Sequence, residues 1–318
     1  MFDPKQIRVV HYEPTTACQL ACPQCARYLA DGQYNSDISP TTVTLDEFKK
    51  IIPVDFIRQL DKFYMCGTFG EPAANYDTLE IFQYLRSINI AITLGMNTNG
   101  GLRHHNWWKN LGQLFCQARD YVVFSIDGLE DTLQIYRKNI NWRQLMRNAE
   151  FFINAGGSAH WDMIAFEHNE HEIDAARTLA RDMGFTWFRV KRSQRHEYRP
   201  VTWVNPPKGI APLPDRSSAI KCEALDKSEV YISAHGNILP CCHIDEQLFA
   251  DSRPTYREEL TTKFGDLAQY HTSNGIDNVL DKFQWIPDTW QSQPLQTCQA
   301  SCGVRPKTDQ WIINEQLR

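Results

Sequence analysis

The sequence has no basic excess. Its 318 residues carry 33 Lys and Arg against 38 Asp and Glu, a formal charge of −5, so a nucleic-acid coat or an anionic membrane surface is disfavoured as the main partner. It has no apolar run approaching the roughly 18 residues of a spanning helix. Its start, Met1-Phe2-Asp3-Pro4-Lys5-Gln6, lacks the charged head and apolar stretch of a secretion signal. No long repeat or low-complexity tract is present, so a repeat architecture is not expected. What remains is the composition of an ordinary globular protein, 42% hydrophobic and 22% charged, long enough for two domains or one large one with an extension. The cytoplasm is the expected compartment, and there ten cysteines read as metal ligands, catalytic thiols or small buried hydrophobes rather than disulfides.

The cysteines are unevenly spread. Cys18, Cys22 and Cys25 lie within eight residues near the start, and Cys222, Cys241, Cys242, Cys298 and Cys302 in the last hundred. Only Cys66 and Cys116 fall between, and both are expected to be buried as small hydrophobes.

The sulfur-poor middle alternates strand and helix patterns. Thr44-Leu45-Asp46-Glu47 is a capping box, followed at helical spacing by Phe48, Ile51, Ile52, Phe56 and Leu60. Strands are expected at Phe63–Cys66, Ile90–Leu94, Tyr121–Ile126, Trp161–Phe166 and Trp187–Val190, with helices over 76–87, 142–155 and 170–183. This predicts an α/β fold, a parallel sheet with helices outside as an open or closed barrel, its site at the C-terminal strand ends. Pro200, Pro206, Pro207, Pro212 and Pro214 mark a boundary, giving domains 1–200 and 201–318. Beyond it, Val230–Ser233 and Ile238-Leu239 flank Ala234-His235-Gly236-Asn237 as a β-hairpin.

Cys18-x3-Cys22-x2-Cys25 supplies three thiolates. Structural zinc wants four ligands, and a four-iron cluster held by three leaves one iron open. The stretch from Glu13 to Cys25 resembles the radical S-adenosylmethionine (SAM) superfamily, whose Cys-x3-Cys-x-φ-Cys loop it contains with Gln24 at the commonly aromatic position. Three further segments, each after an expected strand, resemble the family's SAM-binding motifs: Gly67-Thr68-Phe69-Gly70-Glu71-Pro72, Asn97-Thr98-Asn99-Gly100, and Ser125-Ile126-Asp127-Gly128 with Tyr136-Arg137 nearby. The resemblance implies a partial (β/α)6 barrel. It also implies a 4Fe-4S cluster on Cys18, Cys22 and Cys25, SAM on the fourth iron, and SAM contacts from Gly70, Glu71, Pro72, Asn97, Ser125, Asp127 and Arg137.

Cys222, thirteen residues to Gly236, four more to Cys241, and the later Cys298-x3-Cys302 resemble the small C-terminal domains called SPASM or twitch. That implies a second, auxiliary 4Fe-4S cluster on Cys222, Cys241, Cys298 and Cys302. Four thiolates also suit structural zinc. Cys242 is left over, as a bystander, an alternative ligand or a catalytic thiol that quenches a substrate radical. His104, His105 and His243 read as surface or loop residues. Arg189, Lys191, Arg192, Arg195, His196 and Arg199 crowd the last strand end, where Arg189 and Lys191 share one strand face and are candidates for an anionic substrate group. The expected function is a radical SAM oxidoreductase, dehydrogenase-like, acting on a peptide or small-molecule substrate with an electron donor such as flavodoxin or ferredoxin. Peptide epimerisation or crosslinking is the alternative reaction, and a non-catalytic iron–sulfur sensor the alternative class.

Overall fold

The computed structural model describes all residues except 1, 30, 194, 210, 212, 213, 250, 251 and 306–310; Pro212 of the proline-rich stretch therefore lies outside the described residues. Among the described residues, nine strands form one open sheet: β1 Val9–Tyr12, β2 Lys62–Met65, β3 Thr93–Thr98, β4 Tyr121–Ser125, β5 Ala159–Ala165, β6 Trp187–Arg192, β7 Glu229–Ile232, β8 Ile238–Leu239 and β9 Trp311–Gln316. Their order is β8-β7-β1-β2-β3-β4-β5-β6-β9. From β7 to β6 all neighbours are parallel, whereas β8 and β9 add antiparallel at the two ends. The sheet curves as a partial barrel that does not close.

Alternation sorts the side chains. Val10, Tyr12, Phe63, Met65, Phe124, Trp161 and Phe188 are buried in the core, with Phe48, Trp108 and Phe152 from the helices packed among them. Intervening positions hold polar aromatics: His11 stacks on Tyr64 at 4.6 Å, and Tyr121 on His160 at 5.3 Å. Tyr121 lies across Gly95, where a Cβ would come within 2.6 Å of the ring.

The capping box forms as expected: Thr44 Oγ1 accepts from the Glu47 N–H, and Glu47 accepts from the Thr44 N–H. The helix it opens is shorter than expected. It spans Leu45–Ile51, stops before Pro53 and restarts as Val54–Arg58, since proline has no N–H to continue the ladder. The third strand begins at Thr93 rather than Ile90. Asn89 Oδ1 accepts from Ala91 N–H, and Gln117 Nε2 and Arg86 Nη1 donate to the Ile90 carbonyl, so side chains satisfy this backbone outside any ladder. Arg86 is itself held by a buried 2.5 Å pair with Asp120, which accepts from Leu94 N–H.

Gly236 turns the expected hairpin at φ +80°. The hairpin continues the main sheet, because β7 pairs with β1 in the register Val9↔Glu229 to Tyr12↔Ile232. β9 lies where the sequence pattern assigned no element, and covers the edge of β6. Among the described residues, no helix is long and apolar enough to cross a membrane.

Candidate functional site

The loop after β1 carries the first cysteine set. Cys18 and Cys25 are half-buried and Cys22 is buried. Cys18 Sγ accepts from Leu20 N–H at 3.4 Å and from Asn99 Nδ2 at 3.7 Å. Burial pushes the Cys18 thiol up to about 12 and raises Cys22, and Cys25 adds to both rises. Arg27 donates to the Cys18 and Leu20 carbonyls. Gln24 turns inward, donating Nε2 to the Arg199 carbonyl at 3.0 Å, and so fastens the loop to the segment after β6.

The Gly-Glu-Pro segment leaves β2 and folds onto this loop. A Cβ on Gly70 would lie 1.7 Å from the Thr15 carbonyl oxygen, and one on Gly67 would lie 1.8 Å from the Gly70 carbonyl oxygen; only glycine fits at either position. Glu71 is buried. Its Oε1 accepts from Ala73 N–H at 3.1 Å and Thr98 Oγ1 at 2.5 Å, and its Oε2 from Asn99 N–H at 2.7 Å. A carboxylate has about four acceptor positions, so one on Oε2 remains. Pro72 starts the short turn Pro72–Ala74 that Glu71 caps. Asn99 is the link the sequence reading passed over in favour of Asn97: its N–H serves Glu71 while its amide reaches Cys18. Asn97 instead bonds Cys66.

Asp127 is fully buried. It accepts from Ile164 N–H at 2.7 Å and pairs with Arg137 Nε at 2.6 Å, so it acts through Arg137, whose charge is the strongest opposing the rise at Cys22. Ser125 ends β4, opposite Asp162 of β5.

The second set also assembles. Gly303, after the helix Gln296–Cys302, bridges Ile220, and Lys221 N–H donates to the Cys302 carbonyl at 2.9 Å. Cys222 and Cys302 share a hydrogen bond that holds Cys222 below the usual thiol range and pushes Cys302 above it. Cys222 also receives the N–H groups of Leu225 and Ala224, and Cys241 those of Ile244 and His243. Cys222, Cys241 and Cys298 all act electrostatically on Cys302. Such soft, partly desolvated thiols with N–H donors aimed at sulfur fit iron–sulfur ligation. Among the described residues, no three His, Cys, Asp or Glu side chains converge on a single-ion centre; a cluster with one thiolate per iron spaces its ligands more widely.

Cys242 opens the helix Cys242–Phe249; its strongest charged neighbour is Cys241, followed by Cys66, Glu246 and Glu229. Cys66 is half-buried at the β2 end and Cys116 is exposed, so neither is the core hydrophobe expected; Cys116 falls in the turn leading into β4, outside the packed face. His104 and His243 are exposed and His105 is half-buried.

The basic segment is largely absorbed by the protein. Arg189 Nε pairs with Asp162 at 2.5 Å across the β5/β6 register. Arg199 donates to the Tyr28 carbonyl, and Arg192 to Ala211. The charge of Lys191, which shares the Arg189 face, acts on Cys66 and Asp162. Three residues to which the sequence pattern assigns no site role are Asp162, Glu13 and Tyr231, all engaged by long-range partners.

A model described as the Radical SAM superfamily matches residues 12–181. No curated protein sequence matches the chain. Solved structures match at 13–14% identity, a likeness of fold. Streptococcus suis SuiB aligns with TM-score 0.52 at 14% identity over 74% of this chain, which spans 60% of SuiB. SuiB bound to its precursor peptide SuiA aligns with TM-score 0.55 at 13% identity, over 93% of this chain and 77% of that one. anSMEcpe with bound AdoMet and the Kp18Cys peptide aligns with TM-score 0.57 at 13% identity, over 87% and 80%.

Proposed function

The chain belongs to the radical SAM superfamily and is an enzyme, and on that premise we propose that it removes a hydrogen atom from a peptide substrate, with Cys18, Cys22 and Cys25 holding a four-iron cluster and Glu71 receiving the SAM amino group. When bound, the reduced cluster and SAM supply the 5′-deoxyadenosyl radical that accepts the hydrogen atom. One observation carries the reading: Asn99 binds Glu71 through its backbone and Cys18 Sγ through its side chain, joining the ammonium acceptor to the cysteine loop. Asp127 orients Arg137, whose remaining N–H groups have no hydrogen-bond partner among the described residues and would meet a carboxylate, and Gly70 lets the loop approach closely.

Cys222, Cys241, Cys298 and Cys302 are assigned a fully ligated auxiliary cluster, which serves electron transfer rather than substrate binding and favours an oxidative outcome. The peptide class is supported by the peptides named in the SuiB and anSMEcpe structures. A flavodoxin or ferredoxin is the proposed electron donor. A cleft of about 410 Å³ opens beside Cys18, lined by Thr16, Ala17, Arg27 and Tyr34 among others. The test is anaerobic reconstitution, reduction and assay for 5′-deoxyadenosine. Its formation is expected, and its absence from protein with intact clusters overturns the proposed hydrogen-atom abstraction.

A further inference from the structure

Three buried groups from distant parts of the chain meet where the Gly-Glu-Pro segment faces the second cysteine segment. Glu13, directly after β1, has no exposed surface. Its Oε1 accepts from the Phe69 and Gly70 N–H groups at 2.6 and 2.8 Å, and its Oε2 from the Tyr231 hydroxyl at 2.6 Å. That hydroxyl also lies 2.9 Å from Asp245 Oδ2, and receives Thr68 Oγ1 at 3.2 Å. Asp245 is 1% exposed and belongs to the helix that follows Cys241.

Hydrogen counting locates a proton. A hydroxyl has one hydrogen to give and two lone pairs to receive. Glu13 already takes two backbone N–H groups, which suits its ionised form, so Tyr231 donates to Glu13. Thr68 fills one lone pair of the Tyr231 oxygen. Asp245 then approaches the other favourably only by donating, as a neutral acid. Its Oδ1 has no hydrogen-bond partner among the described residues, which a carbonyl oxygen tolerates far better than half of a buried carboxylate. The charged groups acting on Asp245 are Glu13 and Glu246, both acidic, and Tyr231 is its hydrogen-bond partner. Burial raises both carboxyls, Glu13 to about 7 and Asp245 well above its usual range.

We infer that Glu13, Tyr231 and a protonated Asp245 form a clasp that positions the SAM-binding segment 67–71 against the auxiliary-cysteine segment, so that SAM affinity depends on the C-terminal part of the chain. The inference rests on the SAM reading above. All three are positioning residues, acting on Glu71 through Gly70, whose N–H the clasp holds.

The test is the SAM dissociation constant of reconstituted holoenzyme, with iron content verified for each variant. Tyr231→Phe, which removes the bridging hydrogen, is expected to weaken SAM binding about tenfold or more and to alter the electron paramagnetic resonance spectrum of the SAM-bound cluster. Asp245→Asn keeps a donor toward the Tyr231 oxygen and is expected to bind within about twofold of wild type. Infrared spectroscopy should show a buried protonated-carboxyl band that Asp245→Asn removes. Wild-type affinity in Tyr231→Phe overturns the positioning role. Loss in Asp245→Asn equal to that in Tyr231→Phe, or an unchanged infrared band, overturns the proton assignment. Should Tyr231→Phe not fold, Asp245→Ala replaces it, with weakened binding expected and wild-type affinity overturning the clasp. A wild-type holoenzyme that does not bind SAM overturns the cofactor reading and the positioning claim together, and the infrared band then decides the proton assignment by itself.

Discussion

Replacing Glu71 by Gln removes one charge and little volume. In the structure Glu71 receives Ala73 N–H, Asn99 N–H and Thr98 Oγ1, leaving one acceptor position for a ligand cation. A hydrogen bond to a charged group is worth about 1.5–3 kcal/mol, which corresponds to roughly 10- to 150-fold in affinity. Gln also supplies one acceptor oxygen in place of two, so one of the three protein donors loses its partner, at a cost of about 1–3 kcal/mol in stability. The two effects are separable. Isothermal titration calorimetry with SAM on reconstituted protein should show the affinity loss, and a thermal melt of the same sample the smaller stability loss. Affinity equal to wild type, with a lowered melting temperature, would refute the ammonium role and leave Glu71 as a structural cap.

Iron analysis should give about eight irons per chain after anaerobic reconstitution, and about four once Cys18, Cys22 and Cys25 are all Ala; tight zinc and no iron in that triple variant would refute the auxiliary cluster. Cys242→Ala should retain full iron where Cys241→Ala loses the second set. Glu13, raised from 4.5 to about 7 by burial, binds its proton more tightly folded than unfolded. It therefore contributes stability that is present below about pH 4.5 and lost as pH rises to about 7. The difference in urea midpoints between wild type and Glu13→Gln should change over that window, and a constant difference would count against the shift. Asp120→Ala strands the buried Arg86 guanidinium and should cost about 3–5 kcal/mol; a midpoint within error of wild type would show the pair to be dispensable.

Much of the fold was legible because its signals are local. The capping box at Thr44, the turn at Gly236 and the strand-end motifs each lie within a few residues of what they control. The losses are of another kind. Pro53 interrupts an otherwise helical pattern. At residues 90–92 an apolar run mimicked a strand, although Arg86 and Gln117 had already claimed its backbone. Glu13 reads as an ordinary polar residue before a proline, since its partners at 69, 70 and 231 become neighbours only once the sheet order is set. The same holds for Arg189, whose partner Asp162 follows from strand register and from nothing in its own segment. Asn99 was within the recognised motif, but choosing it over Asn97 needs the loop's path.

The position of β1 bears on how the protein is made. Val9 to Tyr12 pair on one side with β2, made soon after, and on the other with β7, where the partner of Val9 is Glu229. A chain emerging from the ribosome thus holds an unpaired strand edge beside the loop of Cys18, Cys22 and Cys25 until most of it has been synthesised. Such a distant closure is slow and leaves apolar surface open to misassembly. A nascent chain stalled before residue 229 should therefore expose that edge and depend on chaperones to avoid aggregation.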